Sequence, residues 1–515
     1  MKSMKKLVTL LFSLVMLCAF AIPVMAAETY SIIINGAVAG HTYTAYQVFK
    51  GVYSSVDNNE YLSDVEWGDD VNGTGILTEL QASTIIGSNF KDNMSAEEVA
   101  YILQGYGDKS KELDEFARIV GNNLKAGVAK KSSGVVEDQN ATISDLTAGY
   151  YFVKDTGTIN AGEIATKFLV KVVGNANVNV TVKAPAPTLD KKIINKNGNT
   201  VNGTSANVGD EITFKLTAKV PDMASFNTYT FTISDTLSKG LTFDEKSVVV
   251  KIGETTLVAD SNYKLTPPDA NNTFKIDFTK EQLGDNVKHA DGAKIVVTYN
   301  ATLNSNALTV DKETNTAKLE YSNNPDGAGT GTTPDAPVYV YDFDLTVDKF
   351  DGTGETTTQK KLKDAVFVLY KVDGTNKKYY KWNAESKKVE WVENKAKATP
   401  QKTDANGKAT FEGLKEGTYY LEETKAPDGY NKLKKDVQVV ITATYKENGE
   451  LQSSSATSDH NGQYIQVQSI ANKAGAVLPS TGGIGTTIFY VLGSIMALGA
   501  AVLLIAKKRM NGQDN

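Results

Sequence analysis

Two short stretches in the C-terminal half of the chain decide its fold: LTVDK at residues 345–349 and GTYYLEE at residues 417–423. Apolar and polar residues alternate in both, a pattern typical of β-strands with one buried face. The alternation places Lys349 on the apolar face of the first strand and Glu423 on the apolar face of the second. Each strand therefore carries one ionisable side chain toward the core.

The sequence on both sides of these stretches repeats the same short-strand pattern. Strands are predicted at residues 212–220, 229–233, 248–252 and 294–303, and a hairpin turn at Asn406-Gly407. Several short strands separated by Gly and Asn turns predict a mainly β protein of tandem immunoglobulin-like sandwiches.

The N-terminal third of the chain combines strands with one helical region. Strands are predicted at residues 30–35 and 149–155, whereas Ser95 and Glu98 have the spacing of a capping box. Apolar residues recur at helical intervals soon afterwards, namely at Leu113, Phe116, Val120 and Leu124. We therefore predict a first sandwich domain with a helical insertion.

Proline-rich segments suggest where the domains meet. Pro185 and Pro187 form a stiff joint, and residues 325–337 are rich in Gly, Thr and Pro. The predicted organisation is a signal peptide (1–26), an N-terminal domain (27–183), a middle domain (184–338), a third domain (339–476) and a C-terminal signal (477–515).

Both ends of the chain carry export and membrane signals. Lys2, Lys5 and Lys6 precede an apolar stretch, and cleavage is expected after Ala26. Near the C-terminus, residues 484–506 form an uncharged run of 23 residues. At about 1.5 Å rise per residue, this run is long enough to cross a bilayer as a helix. The basic residues 507–509 favour the cytoplasmic side, so the remainder is expected outside the cell.

The composition of the exported part limits its function. Residues 27–481 keep 48 basic and 59 acidic side chains, and this acidic balance argues against a nucleic-acid partner. The only cysteine, Cys18, lies within the signal peptide, so the mature chain has no disulfides. The three histidines show no ligand spacing, and we predict no metal and no cofactor. Residues 404–407 could form a calcium loop or a hairpin turn. The hairpin turn is favoured, because further calcium ligands at the required spacing are not evident.

The segment Leu478-Pro479-Ser480-Thr481-Gly482, followed by the apolar run and the basic cluster, resembles the cell-wall sorting signal of Gram-positive surface proteins. In that family a sortase cleaves between Thr and Gly, here Thr481 and Gly482, through a thioester that an amine resolves. The resemblance implies that the membrane holds only a transient precursor and that the product is attached to peptidoglycan.

The third domain resembles the collagen-adhesin B-type repeat of pilins and adhesins over its full length. The resemblance rests on residues 345–349, on AVFVLY at 365–370 and on GTYYLEETKAPDGY at 417–430, the last of which matches the pilin E box. It implies a spontaneous intramolecular isopeptide bond, formed by a buried Lys, an Asn and an intervening acid.

The residues that match this chemistry in the third domain are Lys349, Glu423 and Asn472. Burial favours the neutral forms of both the amine and the acid, so Lys349 is expected to attack the Asn472 carboxamide and release ammonia. An ordinary salt bridge between Lys349 and Glu423 is the alternative.

The middle domain resembles the isopeptide-forming domain of major pilins. Strand alternation assigns Lys191 to the buried face and Lys192 to the outer face, although a bulge would reverse this choice. With Lys191 we group Asp235 and Asn315 as a second triad.

The first domain offers Lys50, Asp155 and Asn177, with Asn179 as an alternative acceptor. Asp155 replaces the usual Glu, and neither asparagine stands out. We expect this domain to lack the bond or to form it slowly.

The resemblance as a whole implies the shaft subunit of a sortase-assembled pilus. The usual pilin motif Tyr-Pro-Lys-Asn is absent from the sequence, and Lys183, beside the proline-rich joint, is the candidate pilin lysine. The expected partners are a sortase, further pilin subunits and peptidoglycan, and the sequence does not identify a host or surface ligand. The alternatives are a monomeric wall-anchored adhesin, a minor pilin, or a wall-anchored enzyme, for which the sequence offers no catalytic constellation.

Overall fold

The fold is described from a computed structural model. It describes residues 29–56, 59–108, 110–127, 130–160, 162–173, 177–182, 186–223, 225–269, 273–284, 292–327, 329–353, 359–459, 462–475 and 485–510. The predicted signal peptide, Lys183 and the segment Leu478–Gly482 lie outside these residues.

The first group of elements consists of two sheets and three helices. Its strands are β1 (Tyr30–Asn35), β2 (Thr42–Val56), β3 (Asn59–Trp67), β4 (Lys131–Val135), β5 (Asn140–Leu146), β6 (Gly149–Asp155), β7 (Lys167–Val172) and β8 (Asn177–Thr181). Its helices, all between β3 and β4, are α1 (Gly73–Ala82), α2 (Ala96–Leu103) and α3 (Lys111–Asn122). One sheet has the order β5-β1-β8, and the other has the order β3-β2-β6-β7 with β4 on β2.

The helices of this group begin where their capping residues predict. Ser95 and Glu98 form the predicted capping box at the start of α2. The apolar face of α3 buries Phe116 and Val120 against the β2–β6 sheet, where Phe49 lies parallel to Phe116 with ring centroids 6.1 Å apart. These aromatic contacts hold the helices on one face of the sheet.

The second group is a sandwich of two antiparallel-rich sheets. Its strands are β9 (Asp190–Ile194), β10 (Thr200–Val201), β11 (Gly203–Ser205), β12 (Glu211–Lys219), β13 (Phe231–Leu237), β14 (Leu241–Ile252), β15 (Thr255–Thr256), β16 (Lys264–Thr266), β17 (Phe274–Phe278), β18 (Lys294–Leu303), β19 (Glu313–Ser322), β20 (Thr330–Thr332) and β21 (Ala336–Tyr341), with the short helix α4 (Lys280–Leu283). One sheet has the order β10-β9-β12-β18-β14-β15, and the other has the order β11-β21-β19-β13-β17-β16 with β20 on β19. The apolar faces of both sheets meet in one core, as the alternation of β12 and β18 predicts.

The third group is a second sandwich. Its strands are β22 (Phe343–Asp351), β23 (Val366–Asp373), β24 (Asn376–Asn383), β25 (Lys388–Val392), β26 (Gln401–Lys402), β27 (Lys408–Leu414), β28 (Gly417–Lys425), β29 (Val437–Ile441), β30 (Ala443–Tyr445), β31 (Leu451–Ser454), β32 (Thr457–Ser458) and β33 (Tyr464–Asn472). The sheets are β27-β22-β33-β32, β25-β24-β23-β28-β29 with β26 on β23, and the hairpin β30-β31. First and last strands, β22 and β33, run parallel as neighbours.

The second and third groups share one continuous hydrophobic core, which runs from Ile193 to Ile470. The strand β21 pairs with β19 and β11 of the second group as far as Tyr341. The boundary predicted at residue 338 therefore falls inside the strand β21. Sequence alone could not show this, because β21 and β22 are both apolar and follow one another closely.

The C-terminal helix α5 (Gly485–Met510) matches the predicted membrane span. Residues Thr487–Met510 have a mean hydropathy of 2.5 and are not buried against the rest of the chain. Its last turn carries Lys507, Lys508 and Arg509. By length and composition this helix can cross a membrane.

Candidate cross-linking sites

The strand β9 points one lysine into the second core and the next one out. Lys191 is 2% exposed, whereas Lys192 faces outward, where it pairs with Asp190 at 3.2 Å and donates a hydrogen bond to Asn202 at 2.9 Å. The register of β9 on β12 is continuous, with Lys191 opposite Leu216. The choice of Lys191 as the inward residue is therefore correct, because no bulge interrupts the alternation.

Lys191 meets the two residues that were grouped with it in the middle domain. Its Nζ donates to Asp235 Oδ1 at 2.5 Å and to Asn315 Oδ1 at 2.5 Å. Asp235 on β13 and Asn315 on β19 are both fully buried. The two strands are neighbours in the sheet that faces β9, which explains how residues so distant in sequence meet.

A fourth buried residue, Tyr299 on β18, completes this site. Its Oη accepts a hydrogen bond from Lys191 Nζ at 3.1 Å and another from Asn315 Nδ2 at 2.7 Å, and it donates to Asp235 Oδ2 at 2.7 Å. Sequence reasoning missed Tyr299. The alternation of β18 places it on the inward face, but alternation does not reveal which inward residues reach the lysine.

Burial controls the electrostatics of this site. It lowers the pKa of Lys191 to about 8 despite the neighbouring Asp235, and it raises the pKa of Asp235 despite Lys191. It also raises the pKa of Tyr299 well above its usual value. Phe214 stacks on Tyr299 with ring centroids 5.4 Å apart and closes the site on one side. The apolar walls favour the uncharged forms of amine, acid and phenol.

The third group brings together Lys349, Glu423 and Asn472 in the same manner. Lys349 Nζ donates to Asn472 Oδ1 at 2.7 Å and to the Ile470 carbonyl at 3.0 Å. Asn472 Nδ2 donates to Glu423 Oε1 at 2.8 Å. All three side chains are at most 2% exposed. Glu423 accepts a further hydrogen bond from the backbone N–H of Leu433 at 2.7 Å, which fixes the carboxyl group.

The two sites differ in which residue contacts the acid. In the second group the lysine contacts Asp235 directly, whereas in the third group the asparagine amide contacts Glu423. Burial lowers the pKa of Lys349 to about 8, although Glu423 acts in the opposite direction. In each site a lysine that loses its charge readily lies against the carboxamide of an asparagine. This arrangement allows the amine to attack the amide carbon.

The three residues considered in the first group do not meet. Lys50 is partly exposed and pairs with Asp69 at 3.2 Å. Asp155 lies at the far end of the same ladder, because β2 and β6 pair Tyr43 with Asp155 and Lys50 with Gly149. Asn177 and the alternative Asn179 are both exposed on β8. The set Lys50, Asp155 and Asn177 is therefore corrected: these residues form no joint site.

Asp155 instead belongs to a different buried cluster. His41 is fully buried, with its Nδ1 2.6 Å from Asp155 Oδ2 and its Nε2 3.1 Å from Glu163 Oε2. Neither His41 nor Glu163 was singled out in the sequence. They are 122 positions apart, and periodicity does not connect residues across that distance.

Three family profiles match separate parts of the chain. The Gram-positive pilin backbone subunit 2 domain, which is Cna-B-like, matches residues 208–325. The SpaA prealbumin-like fold domain matches residues 344–453, and the LPXTG cell wall anchor motif matches residues 470–512. The chain carries the domains of a Gram-positive backbone pilin. With the apolar helix α5, the anchor motif further indicates a secreted surface protein that is anchored in the cell wall.

Two relatives extend the likeness of this chain to pilus proteins beyond single domains. The trypsin-resistant surface T6 protein of Streptococcus pyogenes is 25% identical over 401 residues, which cover 64% of this chain and 70% of that protein. The fimbrial subunit type 1 of Actinomyces viscosus is 24% identical over 454 residues, covering 76% and 80% of the two chains.

A solved structure agrees with the fold. The T6 backbone pilin of Streptococcus pyogenes, described as a modular three-domain structure, superimposes with a TM-score of 0.52 at 17% identity. The match covers 88% of this chain and all of the other. The mainly β fold of immunoglobulin-like sandwiches predicted from the sequence is thereby confirmed.

Proposed function

We propose that this chain is the structural shaft subunit of a covalently polymerised pilus, in which a sortase joins Thr481 of one copy to Lys183 of the next. The final copy would be joined to peptidoglycan. The observation that carries the proposal is the coexistence of a pilin backbone domain and a cell-wall anchor motif in one chain. The trypsin-resistant surface protein and the fimbrial subunit among its relatives support the same function.

The joining reaction has a balanced chemistry. The Thr481–Gly482 peptide bond breaks as a sortase cysteine takes the Thr481 acyl group as a thioester, and the Gly482 amine takes up a proton and leaves with the C-terminal segment. The amine of Lys183 then attacks the thioester, the cysteine leaves, and an amide joins the two copies. No step consumes an oxidant or a reductant, and the energy of the original peptide bond is kept in the thioester.

Each copy would also cross-link itself at two sites, Lys191 with Asn315 and Lys349 with Asn472. In both reactions Nζ–Cγ bond formation releases ammonia, while Asp235 or Glu423 carries protons between the amine and the leaving group. The distances of 2.5 and 2.7 Å between each Nζ and its Asn Oδ1 support this chemistry. Because each site reacts once, the reaction is maturation of the subunit and not turnover of a substrate.

The internal bonds suit a fibre that carries load. Asn472 ends β33, the last strand before the anchor segment, and Lys349 lies on its parallel neighbour β22. Tension that enters at Thr481 would therefore reach a covalent bond a few residues into the folded part. Under tension, the segment between the two cross-linked residues would not be stretched. Pulling β33 out of its sheet would therefore no longer unfold the domain.

To test the proposal, wall material is extracted from cells that produce this chain with its sortase. A ladder of multimers that resists heat and detergent is expected. Replacement of Lys183 by Ala should reduce the ladder to the monomer. Lys171→Ala is the matched control, because Lys171 is an exposed lysine of the first group whose side chain donates a hydrogen bond to the Glu60 carbonyl at 2.8 Å.

Two other outcomes would overturn parts of the proposal. A ladder that persists in the Lys183→Ala variant would assign the linkage to another lysine. Monomers alone in the unaltered chain would favour the second candidate, a wall-anchored adhesin that does not polymerise, which shares the anchor motif at residues 470–512.

A further inference from the structure

The cross-linking site of the second group contains a buried phenol that the third group does not use. Tyr299 is 1% exposed and contacts the other three polar residues of its site. We propose that Tyr299 relays the proton from Asp235 to the departing nitrogen of Asn315 when the Lys191–Asn315 bond forms. The inference rests on the internal cross-link proposed above and adds a catalytic residue to it.

The hydrogen bonds show why a relay is required at this site. Asp235 directs Oδ1 to Lys191 and Oδ2 to Tyr299. The nitrogen that must leave, Asn315 Nδ2, donates to Tyr299 Oη at 2.7 Å. Tyr299 is therefore the group that contacts both the acid and the leaving nitrogen.

In the third group the leaving nitrogen can be protonated without a relay. There Asn472 Nδ2 lies 2.8 Å from Glu423 Oε1, so the acid can protonate the leaving nitrogen directly. The shorter aspartate side chain in the second group is held at the lysine instead. The hydroxyl of Tyr299 accepts the hydrogen bond from the asparagine nitrogen in the second group, as Glu423 does in the third.

The protons balance around a closed cycle. Neutral Lys191 attacks Asn315 Cγ, and its Nζ gives one proton to Asp235 Oδ1. Tyr299 gives its hydroxyl proton to Asn315 Nδ2 and receives the proton that Asp235 held on Oδ2. The Cγ–Nδ2 bond then breaks and ammonia leaves. Tyr299 is again a neutral phenol, and Asp235 is again a neutral acid, with its proton now on Oδ1.

The surroundings of Tyr299 favour exchange of a proton over its loss. Phe214 stacks on its ring, and Phe243 and Phe274 contact it edge to face with centroids 5.6 and 4.9 Å apart from it. In this apolar cage a phenolate would be costly, so the hydroxyl passes one proton on as it accepts another. The cage also fixes the ring, which keeps Oη between the acid and the amide.

The test compares the unaltered mature chain, residues 27–481, with its Tyr299→Phe variant. Both are made by cell-free synthesis and quenched in acid at intervals, and each cross-link is followed as the loss of one ammonia by peptide mass mapping. The Lys191–Asn315 bond is expected to form at least about 100-fold more slowly in Tyr299→Phe, the usual contribution of a general acid. The Lys349–Asn472 bond should form at the unaltered rate and reports that the chain folds.

The matched control is Tyr229→Phe. Tyr229 belongs to the same core, and its hydroxyl is buried with no hydrogen-bond partner among the described residues. This variant should form both bonds at the unaltered rate. A Tyr299→Phe variant that forms the Lys191–Asn315 bond as fast as the control would overturn the relay. Absence of that bond in the unaltered chain would instead contradict the cross-link itself.

Discussion

Lys191 and Asn315 belong to opposite sheets of the second sandwich, yet Lys191 Nζ lies 2.5 Å from Asn315 Oδ1. A bond between them would join the two layers through the core. In the third group Lys349 and Asn472 lie on neighbouring parallel strands of one sheet, so the corresponding bond would join strands side by side. The two cross-links would therefore resist different deformations: separation of the sheets in one domain and sliding of its terminal strands in the other.

Replacement of Lys191 by Ala should remove one ammonia loss from the intact mass and lower the melting temperature. Lys191 and Asn315 are 124 positions apart, and by the chain-entropy treatment of disulfides a covalent bond between them would contribute about 5 kcal/mol. For domains of this size we expect the melting temperature to fall by about 10 °C. Intact-mass spectrometry and calorimetry of the mature chain measure both quantities.

The neighbouring residue provides the control for this prediction. Lys192→Ala removes an outward lysine that contacts Asp190 and Asn202, and exposed pairs contribute about 1 kcal/mol or less. Its mass deficit should equal that of the unaltered chain. If Lys192→Ala, and not Lys191→Ala, lost the ammonia deficit, the assignment of the reacting lysine would be wrong.

The acid of the third group should be essential to its bond. Glu423→Gln keeps the size of the side chain but cannot carry a proton between Lys349 and Asn472 as a carboxylic acid does. We expect the third bond to be absent after hours in which the unaltered chain is fully cross-linked, as measured by intact mass and by peptide mapping.

Glu422→Gln is the matched control, since Glu422 faces the opposite side of β28 and pairs with Lys395 at 2.5 Å. This variant should keep the full ammonia deficit. Complete cross-linking of the Glu423→Gln chain would show that the acid is dispensable.

The strand pattern of the sequence predicted which lysine of each candidate site faces the core, and the family resemblance supplied the acid and the asparagine grouped with it. Lys191 and Lys349 both face the core, as alternation predicts, and the structure places each against the asparagine grouped with it. Lys191 also contacts its acid, whereas Glu423 contacts Asn472 and not Lys349. Alternation is a local property, so it assigns a side chain to a face. It does not give the register between strands that are distant in sequence.

Register between distant strands explains which residues were grouped wrongly or missed. Lys50 was considered because it ends a predicted strand, and Asp155 because it takes the place of the usual Glu. The β2–β6 register puts the two residues at opposite ends of the ladder. The contacts of Tyr299 and His41 were not predicted, because their partners come from other strands and loops. Their roles depend on which strands are neighbours, and a single sequence does not contain that information.

The His41 cluster should make the first group less stable as the pH rises. Burial lowers the pKa of His41, but its hydrogen bonds and charge interactions with Asp155 and Glu163 outweigh this effect and raise the pKa above 6.5. Because the pKa of His41 is higher in the folded than in the unfolded protein, protonation of His41 stabilises the fold. This stabilisation is complete below pH 6.5, the pKa in the unfolded chain, and is lost as the pH rises through the pKa of the folded protein. Protonated His41 donates to both acids, whereas the neutral ring can donate to only one.

Thermal unfolding of the mature chain between pH 5 and pH 9 measures this effect, with hydrogen exchange to identify the first group's transition. Its melting temperature should decrease above pH 6.5, and His41→Gln should flatten this dependence. The transitions of the other groups serve as the internal control. A pH profile that is unchanged in His41→Gln would contradict a role for this cluster.

The junction between the first and second groups should depend on Asp326. This residue pairs with Lys154 at 2.9 Å and with Lys167 at 3.2 Å, and both lysines belong to the first group. Burial lowers the pKa of Lys167, with Asp326 acting in the opposite direction. A backbone hydrogen bond from the Ala165 N–H to the Asn323 carbonyl, 2.8 Å long, lies at the same junction. Asp326→Ala would leave the largely buried Lys167 without its counter-charge, at a cost of about 1–3 kcal/mol.

Small-angle scattering of the mature chain should then show a larger radius of gyration for Asp326→Ala, because the first group is released from its contact with the second. Asp335→Ala is the matched control: Asp335 pairs at 3.0 Å with Lys318 inside the second group, and both side chains are about half exposed. This variant should scatter like the unaltered chain. If both variants scattered alike, the junction would be held by the backbone contact at Asn323 and its apolar surroundings, and the charge on Asp326 would be unnecessary for it.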